Sequence, residues 1–300
     1  MSEELIGDSK IDQEEWHGEH WFVLGPSWKG IEDIRHMIVF GTSYCETQPY
    51  GFWSEPTDEQ PLGIEYPGIT RTDGGANWVG HLVYKRSPPI LVYNYAKSGH
   101  TVDGVQEQVQ TMFPRTNPPS VALSPETSLF ATWIGINDIG SGADIERAID
   151  HLFILQQELY DKGARNFLFI DVPPVDRSPA CALSSQLSRP SPSNIKAIID
   201  RGSPKTRGAP RIVLWNMELQ RHIRTFVTEK EATGPVTVLY FSSHKIFTSI
   251  LDNPEEHGFP EEDINKSGGA IWVDELHPTS AVHAIFARKI NVMLKKMDVR

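Results

Sequence analysis

The sequence predicts an α/β fold, a three-layer α/β/α sandwich built on a central parallel sheet of five strands. Three observations carry that expectation: five short apolar runs are spaced along the chain, segments of helical period lie between them, and Gly or Pro closes most of the runs. With 300 residues, 39% of them apolar, the chain can bury one large core. Residues 1–300 are therefore expected to form a single domain, with residues 1–35 as an N-terminal extension packing on it.

The first run, Met37-Ile38-Val39-Phe40, meets Gly41 at once and reads as a buried strand ending in a tight turn. The second, Ile90 to Ala96, stops before Ser98-Gly99, and the third, Leu129 to Ile134, stops at Gly135. Asn166 to Val172 closes at Pro173-Pro174, and Val236 to Phe241 makes the fifth. Between them Ile145, Ala148, Ile149, Leu152, Leu155 and Leu159 recur at spacings of three and four, with Lys162-Gly163 as the stop signal, which predicts a helix. A second amphipathic segment covers Ile212 to Glu231. The last helix begins near Thr279 and buries Val282, Ile285, Phe286, Ile290 and Leu294, which places His277-Pro278 on the loop entering it. Residues 49–75 and 173–210, rich in Pro and Gly, read as long loops.

Composition narrows the function. A formal charge of -11, from 28 basic and 39 acidic residues, argues against nucleic acid, because phosphate binding needs clustered Lys and Arg. The start, Met1-Ser2-Glu3-Glu4-Leu5-Ile6, holds no apolar run of signal-peptide length, and no stretch approaches the roughly 20 apolar residues of a membrane span. The expectation is a cytoplasmic chain without a membrane segment, secreted only if a native start is missing. Cys45 and Cys181 leave pairing open, since spacing alone cannot bring two Cα atoms together. His81, His100, His244 and His277 form no ligand spacing, so no metal and no other cofactor is expected. Nothing points to an obligate protein partner.

In a doubly wound sheet, functional groups collect beyond the carboxyl ends of the strands. Four clusters fall at such positions: Gly41-Thr42-Ser43-Tyr44, Ser98-Gly99, Gly135-Ile136-Asn137-Asp138, and Asp274-Glu275-Leu276-His277 before the final helix. Each alone has a plain explanation as a turn or a helix cap. In order and context, the four together resemble the signature blocks of the SGNH (GDSL-type) hydrolases, over residues 36 to 290. The wording of Phe40 to Tyr44, Asn77-Trp78-Val79, Tyr93 to Ala96 with Gly99, Thr101-Val102-Asp103, Phe247-Thr248 and Asp252-Asn253-Pro254 is similar to the fungal acetylesterase branch.

That resemblance implies the flavodoxin-like fold of those hydrolases and a serine ester hydrolase cleaving short-chain O-acyl esters, acetyl foremost, of a carbohydrate or small metabolite. Ser43 would be the nucleophile, His277 the general base and Asp274 the carboxylate orienting it. Physical chemistry agrees: a serine hydroxyl is a poor nucleophile until an imidazole takes its proton, and the imidazole needs a partner to fix its tautomer. The resemblance assigns the oxyanion to the N–H groups of Ser43 and Gly99 and the side-chain amide of Asn137. Thr42, Tyr44, His100, Asp138 and Trp272 are candidate substrate-pocket residues. Thr42 departs from the family, whose usual residue there is aspartate; it keeps a hydroxyl and loses a charge. Two other readings compete, an acyltransferase or thioesterase-like tailoring enzyme and a non-catalytic binder that keeps the fold.

Overall fold

The chain forms strands β1 (His20–Val23), β2 (His36–Gly41), β3 (Leu91–Asn94), β4 (Ser128–Trp133), β5 (Asn166–Ile170) and β6 (Thr237–Phe241). In this computed structural model they make one sheet in the order β1-β6-β5-β4-β2-β3. The structure describes residues 20–49, 54–116, 124–181 and 204–297. Parts of the expected extension and of both long loops lie outside these residues.

The five expected strands are all present and all parallel. Every residue of β2, β4, β5 and β6 is buried, because helices cover both faces and leave no side of the sheet for polar residues. The sixth strand, β1, was not expected. It runs antiparallel along β6, pairing Trp21 with Tyr240, and the two rings stack at 5.4 Å. Its four residues are too few for a period to show, and only Trp21 among them is fully buried. Residues 20–35 therefore belong to the fold: beyond β1, Ile31 and Ile34 are core residues, and Trp28 donates its indole N–H to the Met297 carbonyl at 3.0 Å.

The helices are α1 (Trp78–Val83), α2 (Val102–Glu107), α3 (Phe113–Thr116), α4 (Ile136–Ser141), α5 (Ile145–Asp161), α6 (Pro204–Lys230), α7 (Ser243–Asp252) and α8 (Ser280–Lys296). One layer packs α8 against α1 and α7, and the other packs α5 against α2, α4 and α6. The expected start of α6 at Ile212 comes late: the helix runs from Pro204 through Pro210, which removes one backbone hydrogen bond without ending it. The short α1 lacks a readable period; Asn77 starts it by accepting the N–H groups of Val79 and Gly80.

Strand order places the site. The chain lays β2 first among the parallel strands, adds β3 on one side, and then crosses to put β4 on the other. The carboxyl ends of β2 and β4 thus flank the switch point, where the crossovers leave a crevice. Ser43 follows β2 there, and Asn137 follows β4.

Candidate active site

Ser43 rides on a turn closed by the Thr42 carbonyl, which accepts the N–H groups of Cys45 at 2.9 Å and Glu46 at 3.2 Å. The turn departs from Gly41, where an added Cβ would lie 2.5 Å from the Trp133 carbonyl oxygen, so only glycine lets β2 approach the end of β4 this closely. Two buried asparagines stitch the turn to its neighbours. Asn77 donates to the Glu46 carbonyl at 2.8 Å, and Asn94 donates to the Cys45 carbonyl at 2.7 Å and to Thr47 Oγ1 at 2.8 Å. In the sequence both stand out only through their resemblance to the family, because their acceptors, two backbone carbonyls and a hydroxyl distant in the chain, carry no sequence signal.

On the opposite wall, the Asp274 carboxylate divides its two oxygens. Oδ1 accepts the N–H groups of Leu276 at 2.8 Å and His277 at 2.7 Å, which folds the segment into a tight turn before α8. Oδ2 accepts His277 Nδ1–H at 2.8 Å. With Nδ1 carrying the proton of a neutral ring, Nε2 is left as the acceptor, and Ser43 Oγ donates to it at 2.9 Å. The capping role and the orienting role therefore coexist in one side chain. Partial burial pushes the Asp274 carboxyl up, but the two N–H groups and the His277 ring outweigh it and hold it below the usual carboxylate range. It remains an anion at neutral pH, and its stabilising effect is lost only in acid below that range.

Tyr44 supports this wall from beneath. Its hydroxyl donates to the Leu276 carbonyl at 2.8 Å, and its ring lies against those of His277, His283 and Trp133. His283 is wholly buried, and desolvation drives its imidazole down to about 3, so it brings no second charge to the site at neutral pH.

Gly99 adopts φ +81°, and an added Cβ would meet nothing within 4 Å, so conformation rather than space calls for glycine there. Among the described residues, neither the Ser43 nor the Gly99 N–H has a protein acceptor. Asn137 is the second residue of α4, whose N-cap Gly135 has φ +117° and lies so close to the Trp215 indole that a Cβ would sit 2.3 Å from it. Both protons of the Asn137 amide are engaged: Nδ2 donates to Thr42 Oγ1 at 2.7 Å and to the His100 carbonyl at 2.8 Å. Thr42 thus fills its position as a neutral acceptor for this amide, a weaker competitor for its proton than a carboxylate would be.

Gly99, Asn137 and Leu276 are among the residues lining a cavity of about 780 Å³, whose apolar lining includes Ile136, Ile139 and Ile212. The five expected pocket residues do not line it. Thr42, Tyr44, Asp138 and Trp272 are at most 1% exposed and act inside the wall. Trp272 packs on the Phe247 ring at 4.7 Å and donates its indole N–H to the Ile264 carbonyl. The His100 ring is tucked against Gly104 with Nδ1 bonded to Gln108. Cys45 and Cys181 are free thiols, and burial pushes Cys45 up to about 12, leaving it unreactive at neutral pH.

Asp138 accepts the Val102 N–H at 3.0 Å, which ties α4 to the start of α2, while its second oxygen is buried without a partner. Burial outweighs that hydrogen bond and raises the carboxyl from 3.8 to about 6. The folded chain holds this proton more tightly than the unfolded chain, so ionisation costs stability that is regained as pH falls from about 6 towards 4. Asp138→Asn keeps the acceptor oxygen and cannot ionise. Urea unfolding of both proteins should show wild type gaining on the variant by up to about 3 kcal/mol between neutral pH and pH ~4. A gap that stays constant across that range contradicts this account.

Fold and site together define the class: a doubly wound α/β protein that presents an imidazole-paired serine at its switch point. The family model described as GDSL-like lipase/acylhydrolase matches residues 6–290, and the chain belongs to that family of ester hydrolases. An acetylesterase from Thermothelomyces thermophilus is 30% identical to it over 287 positions, covering 85% of this chain and 87% of the relative. An acetylesterase from Hypocrea jecorina is 22% identical, covering 91% and 92%. Among solved structures, a variant of an acetyl-xylooligosaccharide esterase from Geobacillus stearothermophilus matches the fold with a TM-score of 0.50 at 14% identity, covering 89% of this chain and 96% of that one.

Proposed function

We propose that this chain hydrolyses short-chain O-acyl esters, acetyl foremost, of a carbohydrate or small metabolite through an acyl-Ser43 intermediate. The observation that carries the reading is the hydrogen-bonded line from Ser43 Oγ to His277 Nε2 at 2.9 Å and from His277 Nδ1 to Asp274 at 2.8 Å. The acetylesterase relatives supply the acyl group.

In the first half-reaction Ser43 Oγ bonds to the ester carbonyl carbon as its proton passes to His277 Nε2. The carbonyl oxygen becomes an oxyanion, met by the N–H groups of Ser43 and Gly99 and by the Asn137 amide, which shares a proton with it. Asp274 stabilises the imidazolium, and the ring then gives its proton to the departing alcohol. Water repeats the sequence on the acyl-enzyme: the ring takes its proton, free acid leaves, and Ser43 regains its hydrogen. The cavity beside Gly99 and Asn137 is far larger than an acetyl group and takes the alcohol half of the ester.

A series of aryl esters of increasing chain length tests the acyl assignment. Acetate should give the highest kcat/KM; a maximum at medium or long chains overturns it. Transfer to a second alcohol would use the same acyl-enzyme, so products formed with a sugar acceptor present decide between the two. Free acetate as the main product is expected, and exclusive formation of the acceptor ester would replace hydrolysis by transfer.

A further inference from the structure

Gln108 opens a single π turn, Gln108–Met112, in the helical run that starts with α2, and its side chain is wholly buried. Such turns break the regular ladder and often accompany functional sites. Every donor on its amide is used. Oε1 accepts the Gly41 N–H at 2.9 Å, while Nε2 donates to the Gly41 carbonyl at 2.8 Å and to His100 Nδ1 at 3.0 Å. The Gly41 N–H requires an oxygen opposite it, which fixes the amide orientation and makes His100 Nδ1 an acceptor on a neutral ring. Glu107 Oε2 lies 3.9 Å from the other ring nitrogen, with Lys97 and Glu46 also facing the ring, and burial followed by Lys97 lowers its proton affinity.

These bonds close a ring. Gly41 joins Gln108, Gln108 joins His100, the His100 carbonyl holds Asn137, and Asn137 returns to Thr42, the neighbour of Gly41. The ring ties the turn of Ser43, the loop of Gly99 and the start of α4 to one another. Those three segments carry the three oxyanion donors, and within the ring they are bridged by the Gln108 amide to the His100 ring and by the Asn137 amide to the Thr42 hydroxyl.

We propose that Gln108 is a positioning residue for ester cleavage, setting the Ser43 turn against the Gly99–His100 loop so that their N–H groups converge on one oxygen. This rests on the reading of Ser43 as nucleophile. Gln108→Met fills the same space without donor or acceptor. Gln108→Glu keeps an acceptor for the Gly41 N–H, and it can donate to one of the other two partners only when protonated.

The experiment measures aryl acetate hydrolysis per active site, with sites counted by titration with an organophosphonate. Gln108→Met should lower kcat on the order of 10²-fold with KM changed by less than about threefold, the pattern of a lost transition-state interaction. The activity of Gln108→Glu relative to wild type should rise as pH falls from about 8 to about 5, because a buried carboxyl regains its proton and with it one donor. Taking the ratio to wild type cancels any pH dependence that the two proteins share. A purely structural role would reduce the number of titratable sites, leave kcat per site within about threefold of wild type and keep the ratio flat with pH; that result overturns the proposal. Failure of the nucleophile reading looks different, since wild type would then have no titratable site.

Discussion

Ser43→Ala is expected to lose about 10⁴- to 10⁶-fold in kcat on an aryl acetate while unfolding at nearly the wild-type temperature. The two halves of this expectation have separate causes. Among the described residues Ser43 Oγ makes one hydrogen bond, to His277, and the turn beneath it is held by the Thr42 carbonyl, Asn77 and Asn94 instead. Removing one hydroxyl thus costs about 1 kcal/mol or less in stability. Chemistry loses far more, because among the described residues no other hydroxyl contacts His277 Nε2, and the proposed acyl-enzyme cannot form. What persists is binding and whatever the proposed oxyanion donors do for attack by water. Retention of a tenth of wild-type turnover by a folded Ser43→Ala protein sinks the mechanism.

Asp274→Asn should cost about 10³- to 10⁴-fold in kcat, with KM little changed. The two backbone N–H groups on Oδ1 decide the outcome. An asparagine must keep its oxygen on those donors, so its NH2 group is forced towards His277 Nδ1. Facing a donor, Nδ1 becomes an acceptor and the ring proton moves to Nε2, where it points at Ser43. The base then holds a proton in the one place it must accept one. Circular dichroism should show the fold intact, since the turn before α8 keeps both of its hydrogen bonds. A variant within tenfold of wild type means that Asp274 does not set the tautomer.

The sheet was legible in the sequence, whereas Ser43, Asp274 and His277 stood out only through the order of four blocks that resembles a known family. β2, β4, β5 and β6 are buried on both faces, so they print as unbroken apolar runs. β1 was not legible, because a four-residue edge strand with only one buried residue leaves no pattern. The pocket residues misled for a different reason. Tyr44 and Asp138 lie within the blocks and Trp272 beside one, but each turns into the wall to satisfy a backbone group: the Leu276 carbonyl, the Val102 N–H and the Ile264 carbonyl. Residues that line the cavity, such as Ile139 and Ile212, look like ordinary core residues. Gln108 was invisible because its partners, both backbone groups of Gly41 and a ring nitrogen, are 67 and 8 positions away and impose no spacing.

Incubation with a fluorophosphonate, followed by mass analysis of the proteolysed chain, asks most directly whether this serine is activated. An organophosphonate reacts only with a hydroxyl whose proton can be taken. One adduct per chain is expected, on the peptide carrying Ser43, formed at a rate that drops steeply in Asp274→Asn. A folded protein that stays unlabelled, or that is labelled on another residue, contradicts the proposed mechanism.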